Sequence, residues 1–351
     1  MTPRDEILSL LRHGVAGPGE VDPPHGNGRP ALALAPMATI THAGFRTLVH
    51  EYGGCDLYFT EMISAEALIG GTPFEDHYRS LAPAPARTIY QIIGYTHDTI
   101  AEAASRLARE PCAGIDVNMG CSAPQLVRKG AGVAWMYVPD ASARLIGELR
   151  EKLPDKTLSV KLRLGRRDDP DALLAIALRL QEAGVDFITL HPKRQKEGSA
   201  RVARWKYVDL LKRELTVPII GNGGIMDWTS YLSRRGTEDD PRANALMIGR
   251  GAVRAPWLFA YLRGREAGRQ EMEIDLSQVV ARFLSLLEEH QPQQFWPSRA
   301  RRVYPYLFRN VLFGHSPGAR LADTRDYDEG RRLVSEYFDA HPERRRHIER
   351  G

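Results

Sequence analysis

Short, nearly unbroken apolar runs recur along the chain, separated by stretches with helical spacing. The runs are 31–36 (ALALAP), 56–61 (DLYFTE), 88–93 (TIYQII), 115–118 (IDVN), 157–163 (TLSVKLR), 186–190 (DFITL), 218–222 (PIIGN) and 245–248 (ALMI). Because they are continuous rather than alternating, they predict parallel strands covered on both faces. Between them, 97–110 places apolar residues three and four apart. Residues 140–152 open on Asp140 as an N-cap, and 170–183 start with Pro170 and stop at Gly184. Eight strand–helix units across roughly residues 30–262 predict an α/β protein, a (β/α)8 TIM barrel, a fold of about 250 residues.

Beyond residue 265 the pattern changes. No further strand is evident, and 275–290, 298–313 and 323–340 have helical spacing, separated by QPQQFWP and GHSPGA. The expected organisation is a lead-in over 1–30, a barrel over 31–263 and a small all-helical C-terminal domain over 264–351. A connection is expected near 263–275, where Gly264 and Gly268 fall. The terminal ERRRHIER run reads as a solvated, frayed end.

Composition narrows the class without fixing it. Of 351 residues, 43% are hydrophobic and 26% charged, ordinary for a soluble protein with a sizeable core, and the net charge of +4 permits a polyanionic partner without demanding one. Cys55, Cys112 and Cys121 form neither a CxxC pair nor an even framework, which fits a reducing cytoplasm. The N-terminal MTPRDEILSLL is too short in its apolar run for a signal peptide. No apolar stretch reaches the ~18 residues of a membrane span. A monomeric, metal-free cytoplasmic protein is expected.

In a barrel of this kind chemistry gathers at the C-terminal ends of the strands, so polar and glycine residues should follow each apolar run. They do: Pro36-Met37-Ala38, Glu61-Met62, Gln91, Asn118-Met119-Gly120-Cys121, Lys161 and Arg163, His191, Asn222-Gly223-Gly224 and Gly249-Arg250-Gly251. Glycines after the seventh and eighth strands expose backbone N–H groups that, with the next helix's dipole, cradle a phosphate. The implied ligand is a phosphorylated cofactor or substrate. Lys161, between Val160 and Leu162, must be paired or serve a charge, because an unpaired buried ammonium is costly. Gln91 and His191 are either core hydrogen-bonding groups or ligand contacts. Cys121, at a strand end before the loop SAPQLVRKGAGVAW, is placed to donate a proton, to act as nucleophile, or to do neither.

APMATITHAGFR (35–46), DLYFTEMISAEAL (56–68), YQIIGYTHDTIAEAA (90–104), IDVNMGCSAPQLVRKGAGVAWM (115–136), VKLRLG (160–165), PIIGNGGIMDW (218–228) and ALMIGRGAVRAPWLF (245–259) together resemble the tRNA-dihydrouridine synthases. The central NxGC with a downstream KGxGxA is the most specific part, and the likeness fades in the C-terminal segment. The resemblance implies FMN at the barrel mouth, NADPH as electron source and tRNA as partner. It implies that Pro36, Met37 and Ala38 line the isoalloxazine, that Gln91 bonds its polar edge, and that Lys161 sits on its N1/C2 side. His191 matches a flavin-contacting histidine. Asn222, Gly223, Gly224, Gly249 and Arg250 would hold the phosphate, Asn118 the uracil, and Cys121 would donate the proton. A thiol is protonated at neutral pH when nothing perturbs it, and so is a competent acid there. In SRARRVYPYLFRN, Arg299, Arg301, Arg302 and Arg309 interleave with Tyr304, Tyr306 and Phe308, a pattern suited to phosphate contact and base stacking.

Departures from the family pattern are visible. Ser122 follows the cysteine in place of proline, His42 replaces an aspartate, Arg204 stands before Trp205, and a charged loop, RGTEDDPRA (235–243), precedes the eighth strand. After His191 the chain runs PKRQKEG, so Lys193 or Arg194 takes the substrate-side cation role. The alternatives are the same chemistry on another structured RNA such as rRNA, a small-molecule flavin barrel reductase, and a flavin-free phosphate-binding barrel lyase.

Overall fold

The computed structural model describes residues 2–15, 29–72, 75–198, 201–237 and 242–350. Most of the Pro/Gly-rich lead-in and the centre of the RGTEDDPRA loop lie outside the described residues. Eight parallel strands close into a barrel in sequence order: β1 (Ala31–Leu34), β2 (Leu57–Ser64), β3 (Thr88–Ile93), β4 (Gly114–Met119), β5 (Thr157–Leu162), β6 (Phe187–Leu190), β7 (Ile219–Asn222) and β8 (Ala245–Ile248). The ring closes where β1 pairs with β8, Ala31 opposite Ala245 and Leu34 opposite Ile248. The helices through the barrel are α1 (Pro3–His13), α2 (Ala43–Glu51), α3 (Ala65–Ile69), α4 (His97–Leu107), α5 (Pro124–Arg128), α6 (Pro139–Lys152), α7 (Pro170–Glu182), α8 (Lys206–Glu214), α9 (Trp228–Arg235), α10 (Arg250–Arg254) and α11 (Leu258–Glu266). Beyond it lie β9 (Glu271–Asp275), α12 (Leu276–His290), α13 (Trp296–Leu307), α14 (His315–Asp323), α15 (Tyr327–Ala340) and β10 (Arg346–Arg350).

The strands lie where the continuous apolar runs put them, since every residue of β3 and β4 is buried and only a strand covered on both faces needs that pattern. β2 outruns its expected end at residue 61. A register shift between Phe59 and Met62 against β3 lets the strand continue to Ser64, and a bulge of this kind re-aims the side chains beside it. Helix α6 begins one residue before the expected start: Pro139 occupies its first turn after Val138, and Asp140 pairs with Arg179 instead of capping. Helix α7 opens as expected on Pro170, with the Asp169 side chain capping the Ala172 amide.

Three features were not legible in the apolar pattern. Helix α1, with a Thr2/Asp5 capping box, inserts Ile7 and Leu11 among Ala31, Leu57, Phe59, Ile89, Phe187 and Ala245, and so plugs the N-terminal end of the barrel. The C-terminal region is helical, but it also contains an antiparallel pair, β9 with β10. The terminal run is therefore not frayed: within it Glu349 is 5% exposed and accepts a 3.1 Å hydrogen bond from Trp257 Nε1. GHSPGA is no simple separator, since α14 starts at His315, and α11 runs to Glu266 through the expected connection.

The helical region is seated directly on the barrel. A Cβ at Gly44 of α2 would run into the Leu286 carbonyl of α12, so only glycine permits this approach. Phe45 and Phe283 meet edge to face across the same contact. Among the described residues no helix is long and apolar enough to cross a membrane.

Candidate active site

A cleft of about 350 Å³ opens at the C-terminal ends of the barrel strands, within the size range of small-molecule sites. Its wall collects Pro36 and Met37 after β1, Gln91 of β3, Asn118, Gly120 and Cys121 at the end of β4, Lys161 and Arg163 of β5, and His191 and Lys193 after β6. Asn222, Gly223, Gly224, Gly249 and Arg250 also line it. Ala38 lies outside this wall. The chain turns away at Thr39, whose φ is +66°, and leaves Ala38 exposed.

The glycine turns after β7 and β8 lie side by side on the cleft wall, because the two strands pair. Gly223 and Gly224 have φ of +119° and +80°, a region that L side chains disfavour. A Cβ on Gly223 would also come within 3.0 Å of the His191 ring. Asn222 ties the two turns together by donating from Nδ2 to the Met247 carbonyl at 2.8 Å. Helix α10 begins at Arg250, so its first amides sit beside this backbone cradle.

Cys121 is held from two sides. Its backbone N–H donates to Asn118 Oδ1 at 2.8 Å, and its carbonyl accepts from the Val133 amide at 2.9 Å. The GAG of the following loop explains itself here: Gly132, with φ of +61°, packs so closely that a Cβ would run into the Cys121 carbonyl. The other two thiols are outside the cleft wall. Burial raises the Cys112 thiol, and the Cys55 thiol lies well above its ordinary range for the same reason.

Beneath the cleft floor runs a chain of side-chain hydrogen bonds. Asp116 accepts from Ser159 Oγ at 2.6 Å and from Gln91 Nε2 at 2.7 Å. Gln91 Oε1 accepts from Asn118 Nδ2 at 2.9 Å, and Asn118 Oδ1 accepts from the amides of Gly120 and Cys121. Burial pushes the Asp116 carboxyl up to about 6, against the pull of Ser159, Gln91 and Lys161. Burial, then Arg163, push the Lys161 ammonium down to about 8, opposed by Asp116. Burial and the neighbouring cations Lys161, Arg163, Lys193 and Arg250 keep His191 neutral.

The charge balance at the mouth is cationic. Among the described residues, Lys161, Arg163, Lys193 and Arg250 line the cleft with one carboxylate, Glu197. Arg204 grips Glu197 at 2.6 and 2.7 Å and Arg194 holds it at 2.9 Å, so these hydrogen bonds keep its carboxyl far below the usual range. The loop after β6 thus divides the two expected cations. Lys193 reaches the cleft and donates to the Gly198 carbonyl at 3.2 Å, whereas Arg194 points to solvent and braces Glu197.

Arg299 also departs from expectation. It is 1% exposed and donates to both oxygens of Glu61 at 3.1 Å, so it cannot meet an RNA phosphate. Its charge is consumed by a carboxylate 238 residues away. Tyr304 and Phe308 are buried as well and do not stack on bases. Arg302 and Arg309 are exposed on this helix and the turn after it, and Arg301 is half-buried. Glu197 in the cleft wall and Asp116 behind it are not foreshadowed by the sequence pattern, and Arg163, noted there at a strand end, now joins the wall. A carboxylate inside the buried run IDVN is the signal that would have found Asp116.

This arrangement has known counterparts. The dihydrouridine synthase (Dus) family profile matches residues 33–312. The chain belongs to the dihydrouridine synthase family. It is 30% identical over 270 residues to a probable tRNA-dihydrouridine synthase of Aquifex aeolicus, covering 75% of this chain and 82% of that one. A probable tRNA-dihydrouridine synthase of Rhodobacter capsulatus is 31% identical over 257 residues, with 73% and 78% covered. One from Mycobacterium tuberculosis is 28% identical over 317 residues, with 85% and 79% covered. As a dihydrouridine synthase the protein is an oxidoreductase acting on a CH–CH bond. Among the described residues no cluster of three or more His, Cys, Asp and Glu side chains is arranged to hold a metal ion.

Proposed function

We propose that this dihydrouridine synthase reduces the 5,6 double bond of a uridine in tRNA, using FMN reduced by NADPH. The observation that carries the reading is that Cys121, the donor-rich floor and the paired glycine turns share one cleft. The residues fit FMN. Gly223, Gly224, Gly249 and Arg250 supply backbone donors for a phosphate. Pro36 and Met37 offer an apolar wall, and Gln91, Lys161 and neutral His191 line the space for the ring's polar edge. A cation beside the N1/C2 side stabilises negative charge on a reduced ring, a use for the buried Lys161.

When bound, FMN supplies the hydride that C6 of the pyrimidine accepts. Cys121 supplies the proton to C5 from the opposite face, and its sulfur regains a proton from solvent, so one hydride and one proton saturate the bond. Asn118 holds the base by its remaining N–H, and Lys193 balances charge on the substrate side. The pyrimidine must leave its stack to reach this depth, with Arg301, Arg302 and Arg309 offering phosphate contacts outside the cleft. Purified protein should show an oxidised-flavin absorption spectrum that NADPH bleaches and unmodified tRNA restores, with dihydrouridine formed in step. Protein that stays colourless after FMN is added overturns the reading.

A further inference from the structure

We propose that Asp116 is a positioning residue that, together with the backbone amides of Gly120 and Cys121, fixes the direction in which both cleft amides face, making the cleft floor a surface of N–H donors. The hydrogen-bonded chain has two ends of fixed polarity. At one end an ionised carboxylate can only accept, and at the other the backbone amides of Gly120 and Cys121 can only donate. Between them a single assignment pairs every donor with an acceptor: Gln91 gives an N–H to Asp116 and its oxygen to Asn118, and Asn118 gives an N–H to Gln91 and its oxygen to the two amides. Each amide oxygen is therefore consumed inside the protein. Each NH₂ keeps one hydrogen, and both residues line the cleft.

The neighbouring wall reinforces this polarity, because Lys161, Arg163 and Arg250 also present only donors. Such a floor reads a ring ligand by its carbonyl oxygens. It suits the oxo groups of a flavin or a uracil and opposes an exocyclic amine such as that of cytosine, where N–H would face N–H. Turning Gln91 over would set its NH₂ against that of Asn118, and Asn118 cannot turn without abandoning the Cys121 amide. Asp116 is fully buried and outside the cleft wall, so it acts on ligand and cysteine through the two amides and through its charge on Lys161. The identity of the rings rests on the proposed flavin and uridine chemistry. The amide polarity does not.

The test uses the full-length protein. Asp116→Leu removes the acceptor at similar volume and should raise the FMN Kd, read by fluorescence titration of apoprotein, about tenfold, the scale of one hydrogen bond. On the holoenzyme it should lower kcat about tenfold or more with KM for tRNA nearly constant. Asp116→Asn should restore both to within about threefold, because an amide oxygen still accepts from Gln91 while its NH₂ faces Ser159. Gln91→Glu sets two carboxylates face to face; adding Asp116→Asn returns a donor between them and should recover kcat relative to Gln91→Glu alone. That pair decides the matter even if Asp116→Leu does not fold. Wild-type FMN affinity in folded Asp116→Leu, or Asp116→Asn as damaging as Asp116→Leu, or no recovery in the double variant, overturns the proposal. A wild-type protein that binds FMN but makes no dihydrouridine would instead sink the uridine reading, and the FMN titration would still stand.

Discussion

Replacing Cys121 with alanine should remove nearly all dihydrouridine formation while FMN stays bound. The thiol is the proposed proton donor of the NxGC turn, and its loop is anchored on both sides, by Asn118 Oδ1 and by the Val133 amide. A positioned general acid contributes roughly 10²- to 10⁴-fold, equivalent to about 3–5 kcal/mol of barrel-mouth chemistry. The anchoring bonds use Cys121 backbone atoms, so alanine keeps the loop and the FMN wall. Single-turnover oxidation of the reduced protein by tRNA measures the step directly. Reduction of the flavin by NADPH should proceed at the wild-type rate, whereas the tRNA-dependent step should slow by at least about 10². Wild-type turnover in Cys121→Ala would transfer the acid role to another group.

The second large effect is expected at Arg299, far from the reacting atoms. Arg299 of α13 and Glu61 of β2 are 1% and 2% exposed and bonded at 3.1 Å. Glu61 also accepts the amide of Thr39, the turn residue at φ +66° just past Met37. One carboxylate thus joins the helical region to the loop that lines the cleft. Arg299→Met leaves that charge buried without its main partner, which costs about 3–5 kcal/mol. A fall in Tm on the order of 10 °C follows, with weaker FMN retention as the Thr39 turn loosens. Removing both charges, Glu61→Gln with Arg299→Met, should recover much of the Tm, since a buried pair replaced as a whole is often near neutral. Arg302→Met, at an exposed position on the same helix, should leave Tm unchanged and lower the salt dependence of tRNA binding by about one phosphate contact. Arg299→Met with wild-type Tm would show that Glu61 does not depend on Arg299.

The barrel was legible because strands covered on both faces favour nearly continuous apolar runs, and all eight runs became strands. The cleft was legible for a related reason: glycines at the ends of β7 and β8, and a cysteine after Asn118-Met119-Gly120, interrupt apolar sequence where a packed core would not. What stayed hidden depends on partners remote in sequence. Arg299 looks like one more cation in an Arg-rich helix until Glu61 is brought against it. Helix α1 and strand β10 are held by a few buried contacts, Ile7 and Leu11 in one and Glu349 in the other, too sparse to write a periodicity. Asp116 lay inside a run scored as apolar, although an acid at such a position demands partners, and Gln91 and Ser159 supply them. The strand-six loop shows the same limit. Lys193 and Arg194 are adjacent and alike in charge, and only the fold sends one to the cleft and the other to Glu197.

The most direct measurement maps dihydrouridine at single-nucleotide resolution across tRNA and rRNA from cells with and without this protein, with Cys121→Ala supplied back as a control. Loss of dihydrouridine at defined tRNA positions, restored by the wild-type chain and not by the variant, is the expected result. Unchanged tRNA, or loss confined to rRNA, would contradict it.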